Sequence, residues 1–259
     1  MNTAALAPVS PRSENPLGGP VVHLDQTGST NDHARALALG GTPDGTVVIA
    51  EEQTAGRGRQ GRRWTASRGH ALTLSVVIRR DEDALAGMLD LLGLTVAVAV
   101  CEAAEAIASV QCRIKWPNDV WIGERKLAGI LIESRPRAGW AVIGIGVNVD
   151  TPSEELGGEL AQSATSLRIE SGRPVDRGRA LDALLERLET RLREVDRDSD
   201  QVLGAYRSRD LLAGREIGWV ADGRTLSGEA KGVDEHGRLV VFTREGERLL
   251  LDSGEVHLA

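Results

Sequence analysis

The chain has 259 residues, 41% of them hydrophobic and 27% charged, and a formal net charge of −7. That size and composition fit one large or two small globular domains and exclude wholesale disorder. The longest uncharged apolar run, Leu91–Cys101, is well short of the roughly 20 residues that span a bilayer. Two cysteines, Cys101 and Cys112, are too few for a disulfide framework or a metal site and point to a reducing, cytoplasmic setting.

Residues 1–20 hold four prolines (Pro8, Pro11, Pro16, Pro20) and no apolar run of signal-peptide length, so they read as a disordered leader. A strand is predicted over Val21–Leu24. Ser29 or Thr30 then caps a helix running to Leu39 and stopped by Gly40-Gly41. Gly45–Glu51 reads as a strand, Gly56–His70 as a long loop rich in glycine and arginine, and Ala71–Ile78 as a second strand. Ala84–Ala108 is expected to be a buried helix with a bend near Gly93. Three close strands follow: Arg113–Lys115 with Val120–Ile122, then Leu127–Ser134, then Trp140–Val149. Leu181, Leu184, Leu185, Leu188 and Leu192 recur at helical spacing, which predicts an amphipathic helix between Asp176 and Arg193. A shorter helix over Asp200–Arg207 closes this α/β part.

From Leu211 the pattern changes. Ile217–Ala221, Thr225–Val233, Arg238–Phe242, Arg248–Leu251 and Val256–Leu258 read as short strands, split by Asp222-Gly223, Glu235-His236-Gly237, Glu245-Gly246 and Asp252-Ser253-Gly254. So dense a run of strands predicts a small β-barrel. The expected division is therefore 1–20, 21–210 and 211–259.

Charge is unevenly spread. Only three of the 31 basic residues are lysines (Lys115, Lys126, Lys231), and where one stands in so arginine-rich a chain a compact point charge replaces a planar fork. Between Gln53 and Arg80 there are seven arginines (Arg57, Arg59, Arg62, Arg63, Arg68, Arg79, Arg80) and no acid, so the remainder carries −14. A cationic patch in an acidic protein points to a small anionic ligand and away from nucleic acid. The plainer alternative is a solvated basic loop.

Two motif matches in that loop fail on context. Gly56-Arg57-Gly58-Arg59-Gln60-Gly61 fits G-x-G-x-x-G, but the last glycine leads into another loop and strand instead of opening a helix. The same spacing resembles a phosphate-binding loop, yet Arg62-Arg63 stands where Lys-Ser/Thr is required. What survives is physical: glycines allow close backbone approach, and arginine forks suit phosphate or carboxylate.

Together GRGRQGRRW (Gly56–Trp64), KWPNDVWIGERKLAGILIE (Lys115–Glu133) and GIGVNV (Gly144–Val149) resemble the biotin–protein ligase family, with STN (Ser29–Asn31) and Gln53 at the matching upstream positions. The resemblance is strong over residues 21–150 and extends to the remainder in layout only. It implies an α/β catalytic domain with a mixed sheet flanked by helices, followed by an SH3-like β-barrel. It implies two half-reactions: biotin and ATP give biotinyl-5′-adenylate, and biotin then passes to one lysine of a biotin carboxyl carrier domain. By the same resemblance Ser29, Thr30, Asn31 and Gln53 are the residues that meet biotin. Arg57, Gly58 and Arg59 are the part of the loop that folds over biotin and the adenylate phosphate, and Arg62 and Arg63 meet phosphate oxygens or solvent. Lys126 lies near the carboxylate and α-phosphate, Lys115 assists with the phosphates, and Asn148 stands beside the nucleotide. Trp64 is read as an adenine cap or a core residue, Trp116-Pro117 as a pocket wall, and Asn118-Asp119 as holding the turn first, with a reach to nucleotide and metal as the alternative. Mg2+ is expected to travel mainly on the phosphates, with no protein metal site. Only about twenty residues precede the first strand, so the reading is of a ligase without a DNA-binding domain, with no nucleic acid or membrane partner and a homodimer left open. Two rival readings are a lipoate–protein ligase and a non-catalytic biotin-sensing regulator.

Overall fold

The computed structural model describes residues 14–156, 160–221 and 223–258; residues 1–13, which carry most of the expected leader, and Asp222 of an expected turn lie outside them. The end of that leader is packed: Asn15 donates to the Gly19 and Gly45 carbonyls at 2.7 and 2.9 Å, and Leu17 joins the core. The reading of 14–20 as disordered is therefore corrected.

The first strand is longer than predicted, β1 Val21–Thr27, and leads into α1 Thr30–Leu39. Ser29 occupies the cap position but its side chain makes no capping bond. There follow β2 Val47–Gln53, β3 Ala71–Arg79, and α2 Glu82–Ile107, the last a single helix capped by Asp81. Next come β4 Cys112–Lys115, β5 Asp119–Ile122, β6 Arg125–Arg135 and β7 Trp140–Asn148. Two short helices not foreseen, α3 Leu160–Ser163 and α4 Leu167–Ser171, precede α5 Arg177–Val195 and α6 Ser199–Arg207. β1 through β7 form one mixed sheet in the order β1-β2-β3-β7-β6-β5-β4, parallel only between β1 and β2.

The sheet's two faces do different work. Strand side chains alternate between faces, and one face, carrying Leu72, Leu74, Val76, Ile130, Ile143 and Ile145, packs beneath α2 and α5 in the main core. The other is only partly covered: α1 packs Ala34 and Ala38 on Val48, Val77, Trp140 and Val142 at one end. Beyond α1 that face carries Ser75, Gly144, Gly146 and Gly129, which leave room for a ligand.

α2 is long and apolar enough to cross a membrane by length and composition, with a mean hydropathy of 2.1 over its most apolar stretch. Its buried residues, Leu85 through Ala104, are instead taken up by the sheet, α5 and α6, as in a core helix.

The C-terminal strands are β8 Glu216–Ala221, β9 Arg224–Val233, β10 Leu239–Thr243, β11 Arg248–Leu251 and β12 Val256–Leu258. They pair antiparallel in the order β11-β10-β9-β8-β12, an SH3-like unit. Trp116 Nε1 donates to the Gly237 carbonyl at 3.0 Å, tying the turn after β4 to the turn before β10.

Leu92 of α2 is fully buried whereas Leu39 is 70% exposed. Leu92→Ala should lower the unfolding free energy by about 2–5 kcal/mol through lost transfer energy and a residual cavity. Leu39→Ala should change it by less than about 0.5 kcal/mol. Urea unfolding of both variants checks this, and comparable losses would contradict the assignment of α2 to the core.

Candidate active site

A cavity of about 320 Å³ opens on the uncovered sheet face. Its wall includes Ser29, Thr30, Asn31, Gln53, Arg57, Gly58, Arg59, Arg62, Lys115 and Lys126. Ten of the eleven site residues read from sequence thus meet in one place, although up to 97 positions separate them. The exception is Asn148. It follows Gly144 and Gly146 on the same face, but the Ala164–Ser166 segment covers it, and its Nδ2 donates to the Thr165 carbonyl at 3.0 Å. Asn148 is not part of the cavity wall.

One end of the cavity is a chain of neutral hydrogen bonds. Gln53 Oε1 accepts from Thr30 N at 2.8 Å and from Thr30 Oγ1 at 3.1 Å. Its amide –NH2 is thereby oriented away from α1. Ser75 Oγ lies 2.8 Å from Thr30 Oγ1 and 2.6 Å from Asn31 Oδ1. Asn31 Nδ2 in turn donates to Glu133 Oε2 at 2.9 Å. Satisfied on both sides, these buried groups hold fixed positions.

The other end is cationic, and strand pairing explains why. Lys115 pairs with Asp119, and Asp119 with Gly129, so all three belong to the face that bears the cavity. Alternation from Gly129 back along β6 would send Lys126 to the core side. It does not, because the partner register jumps from Val120–Ala128 to Trp121–Lys126. The extra residue is Leu127, which is fully buried while Lys126 faces the cavity. A β-bulge of this kind re-aims a side chain. Lys126 Nζ then lies 2.7 Å from Asp119 Oδ1, and Lys115 Nζ sits 4.8 Å from the centroid of Trp121. Burial pulls the Lys115 amine below its ordinary value; Asp119 opposes the shift, and Lys126 and Arg62 add to it. Burial also lowers Arg59, again opposed by Asp119.

The loop from Gly56 arches over this floor with a turn at Arg59–Gly61. Its arginines do not form the unpaired patch that local sequence implied. Arg57 reaches Asp32 at 2.9 Å and Glu133 at 3.1 Å, Arg62 pairs with Glu255, and Arg68 pairs with Asp25. Arg79 and Arg80 lie at the far end of β3, where Arg80 bonds Asp44 at 2.8 Å. Acids distant in sequence supply the neutralisation that the segment itself lacks. Arg59 is different: its Nη1 donates to Asn118 Oδ1 at 3.3 Å, a neutral partner, and Asn118 Nδ2 donates to the Ile130 carbonyl at 2.6 Å. Asn118 thus holds the turn and also presents Arg59 to the cavity.

Trp64 lies on a floor of glycine. Gly129 and Gly146 are direct cross-strand partners, and a Cβ on Gly146 would stand 2.4 Å from Trp64 Cε2. Gly144 is constrained likewise, since a Cβ there would meet Asn31 Oδ1 at 2.1 Å. The sequence reading missed Ser75, Glu133 and Trp121, as well as Ser163-Ala164 and the Gly254–Val256 stretch of the C-terminal unit, all of which line or brace the cavity. Glu133 and Trp121 stood inside a quoted motif; Ser75 had no signal beyond being a lone hydroxyl in an apolar strand.

Residues 23–150 match the Biotin/lipoate A/B protein ligase family, and residues 214–258 match the Biotin protein ligase C terminal domain. A Mycobacterium tuberculosis protein named biotin--[acetyl-CoA-carboxylase] ligase is 36% identical over 237 residues, covering 89% of this chain and 86% of its own. The chain belongs to the biotin protein ligase family. A Paracoccus denitrificans member with the same name as the mycobacterial one is 32% identical over 240 residues, covering 88% of this chain and 96% of its own. Among solved structures, the family member from Aquifex aeolicus in complex with biotin and ATP has a TM-score of 0.81 at 28% identity, covering 92% of this chain and 99% of its own.

Gly146→Ala should force the Trp64 indole off the floor, destabilising the ligase by about 1–3 kcal/mol and shifting its tryptophan emission. Gly87→Ala, on an exposed turn of α2 with nothing within 4 Å of the added methyl, should stabilise it by up to about 1 kcal/mol. Thermal unfolding followed by fluorescence distinguishes the two; an unperturbed Gly146→Ala would mean that Trp64 does not rest there.

Proposed function

We propose that this protein condenses biotin with ATP to give biotinyl-5′-adenylate and pyrophosphate, then transfers the biotinyl group to a lysine of a biotin carboxyl carrier domain. The observation that carries this reading is the polarity of the cavity. Thr30, Gln53 and Ser29 at one end offer neutral donors and acceptors suited to a ureido ring, while Lys115, Lys126, Arg59 and Arg62 at the other suit phosphate. Biotinyl-adenylate has that same polarity along its length. The acceptor is placed in a biotin-dependent carboxylase because relatives of similar length carry the name biotin--[acetyl-CoA-carboxylase] ligase. The match to a biotin ligase C-terminal domain favours biotin over lipoate.

Within this reading the biotin carboxylate attacks the α-phosphorus, and charge accumulates on the phosphoryl oxygens as pyrophosphate leaves. Lys126, a mobile point charge, follows that charge and stabilises the transition state electrostatically, with Asp119 holding it in place beforehand. Lys115 and Arg62 serve the departing phosphates. Arg57, bound to Glu133 and Asp32, keeps the Gly56–Trp64 loop docked over the biotin end, and Gly58 allows the backbone to approach. Arg59 grips the mixed anhydride until the carrier lysine arrives. Mg2+ enters on the phosphates as part of the nucleotide substrate. Residues 21–210 form the catalytic part and 211–259 a smaller unit that closes one wall of the cavity through Gly254, Glu255 and Val256. We further assign the enzyme to the cytoplasm.

Four outcomes are expected. Pyrophosphate should be released from ATP on adding biotin and not on adding lipoate; release with lipoate alone would replace the biotin reading. Losing one charge-assisted contact costs on the order of 1.5–3 kcal/mol, a roughly 10- to 150-fold change. Lys126→Gln should therefore slow pyrophosphate release by about that factor. Arg59→Gly should still form adenylate but leak it, labelling unrelated proteins. If Arg59→Gly loses both signals while Lys126→Gln keeps normal release, the two roles are misassigned. Finally, the C-terminal residues 212–259 carry six basic and nine acidic groups. Gel-shift titration at physiological salt should show no submicromolar duplex DNA binding.

A further inference from the structure

Two lysines face the cavity under different constraints. The Lys126 ammonium is 2.7 Å from the Asp119 carboxylate and is neutralised before any nucleotide arrives. Lys115 has no carboxylate within ion-pairing distance among the described residues; its ammonium sits 4.8 Å from the centroid of the Trp121 ring. The hairpin of β4 and β5 sets up that contact. Arg113 pairs with Trp121 and Lys115 with Asp119, so Lys115 and Trp121 are diagonal neighbours on the face that bears the cavity. Burial works against a charge there and so do the like-charged neighbours Lys126 and Arg62, while Asp119, which Lys126 already engages, offsets them only in part. A long flexible stem would let it swing to water. The face of an indole, negative at its centre, is a second counterweight and the one in contact with the ammonium.

Resting on the activity proposed above, we infer that Trp121 is a positioning residue for the phosphates. Its ring holds the Lys115 ammonium at the cavity wall in the empty site and leaves the N–H donors free for phosphate oxygens. A carboxylate in the same position would hold the amine more tightly but would cancel its charge and repel the incoming anion. The ring does neither. The pair with Asp119 and the contact with Trp121 thus divide the work, giving one lysine neutralised at rest and one that meets the nucleotide with its charge intact. Trp121 Nε1 is closed to solvent and has no hydrogen-bond partner, so replacing the indole with a phenyl ring breaks no bond within the protein.

The test is titration calorimetry of the full chain with ATP and, separately, with biotin. It uses Trp121→Phe, Trp121→Leu, Lys115→Ala and the Trp121→Leu/Lys115→Ala double variant. Trp121→Leu keeps apolar bulk but has no ring and should weaken ATP binding roughly 3- to 30-fold. Trp121→Phe keeps a ring face and should stay within about 3-fold of the parent. Biotin affinity should be unchanged in both. Because Trp121 acts through Lys115, the double variant should bind ATP no more than about 2-fold worse than Lys115→Ala alone. The inference is overturned if the two losses multiply in the double variant, if Phe and Leu are equally damaging, or if biotin affinity falls in parallel with ATP. The coupling is read without turnover. A parent protein that binds ATP yet releases no pyrophosphate with biotin would overturn the activity alone, while one that binds no ATP would overturn both.

Discussion

The strict two-residue alternation of a β-strand, and one break in it, governs this molecule. Seven paired strands present a large apolar face that α2 and α5 cover, and the same alternation delivers every second residue to the opposite face. There the strands carry glycines, Ser75, Asp119, Lys115 and Glu133, too small or too polar to build a second full core. The cavity exists because α1 is ten residues long and covers one end of that face only. The bulge at Leu127 then supplies the exception on which the cationic end depends, turning Lys126 outward at the one place where alternation would bury it.

Rigidity and mobility are divided along the same line. The neutral end of the cavity is held by a run of hydrogen bonds from Gln53 through Thr30, Ser75 and Asn31 to Glu133, and removing any member strands a buried partner. Such a network fixes shape, and shape is what a neutral ligand offers for recognition. The cationic end relies on long side chains with exchangeable partners: Arg62 on Glu255, Arg59 on Asn118, Lys126 on Asp119. Single contacts of this kind, two of them ion pairs open to solvent on at least one side and one to a neutral amide, can be exchanged for contacts to a polyanion. Glu133 and Arg57 join the two regimes, since the carboxylate that anchors Asn31 also holds the overlying loop.

The C-terminal unit is part of the same arrangement. Gly254, Glu255 and Val256 line the cavity, and Trp116 is bonded to the turn at Gly237. Its strands therefore close a wall of the catalytic part instead of hanging from it, and their net acidity places Glu255 opposite a cationic loop.

Much of this was legible in the sequence because it rests on local signals. Periodicity located α2 and α5, β-branched runs located the strands, turns of glycine with aspartate or glutamate separated the C-terminal hairpins, and ten of the eleven site residues read from sequence line the cavity. Three things were not legible. Charge pairing was misjudged, because Glu255, Asp25 and Asp32 neutralise arginines far from them in the chain, and only folding brings them together. The cover over Asn148 was not legible, because a segment with no sequence signature, Ala164–Ser166, folds across it. The side on which Lys126 emerges was undetermined, because a one-residue bulge reverses the face of a side chain and follows from pairing with a neighbour strand. Sequence determined which residue types and elements were available. Tertiary structure decided which charges are compensated, which polar groups are covered and which way the key lysine points, since each of these depends on groups that only long-range contacts bring near.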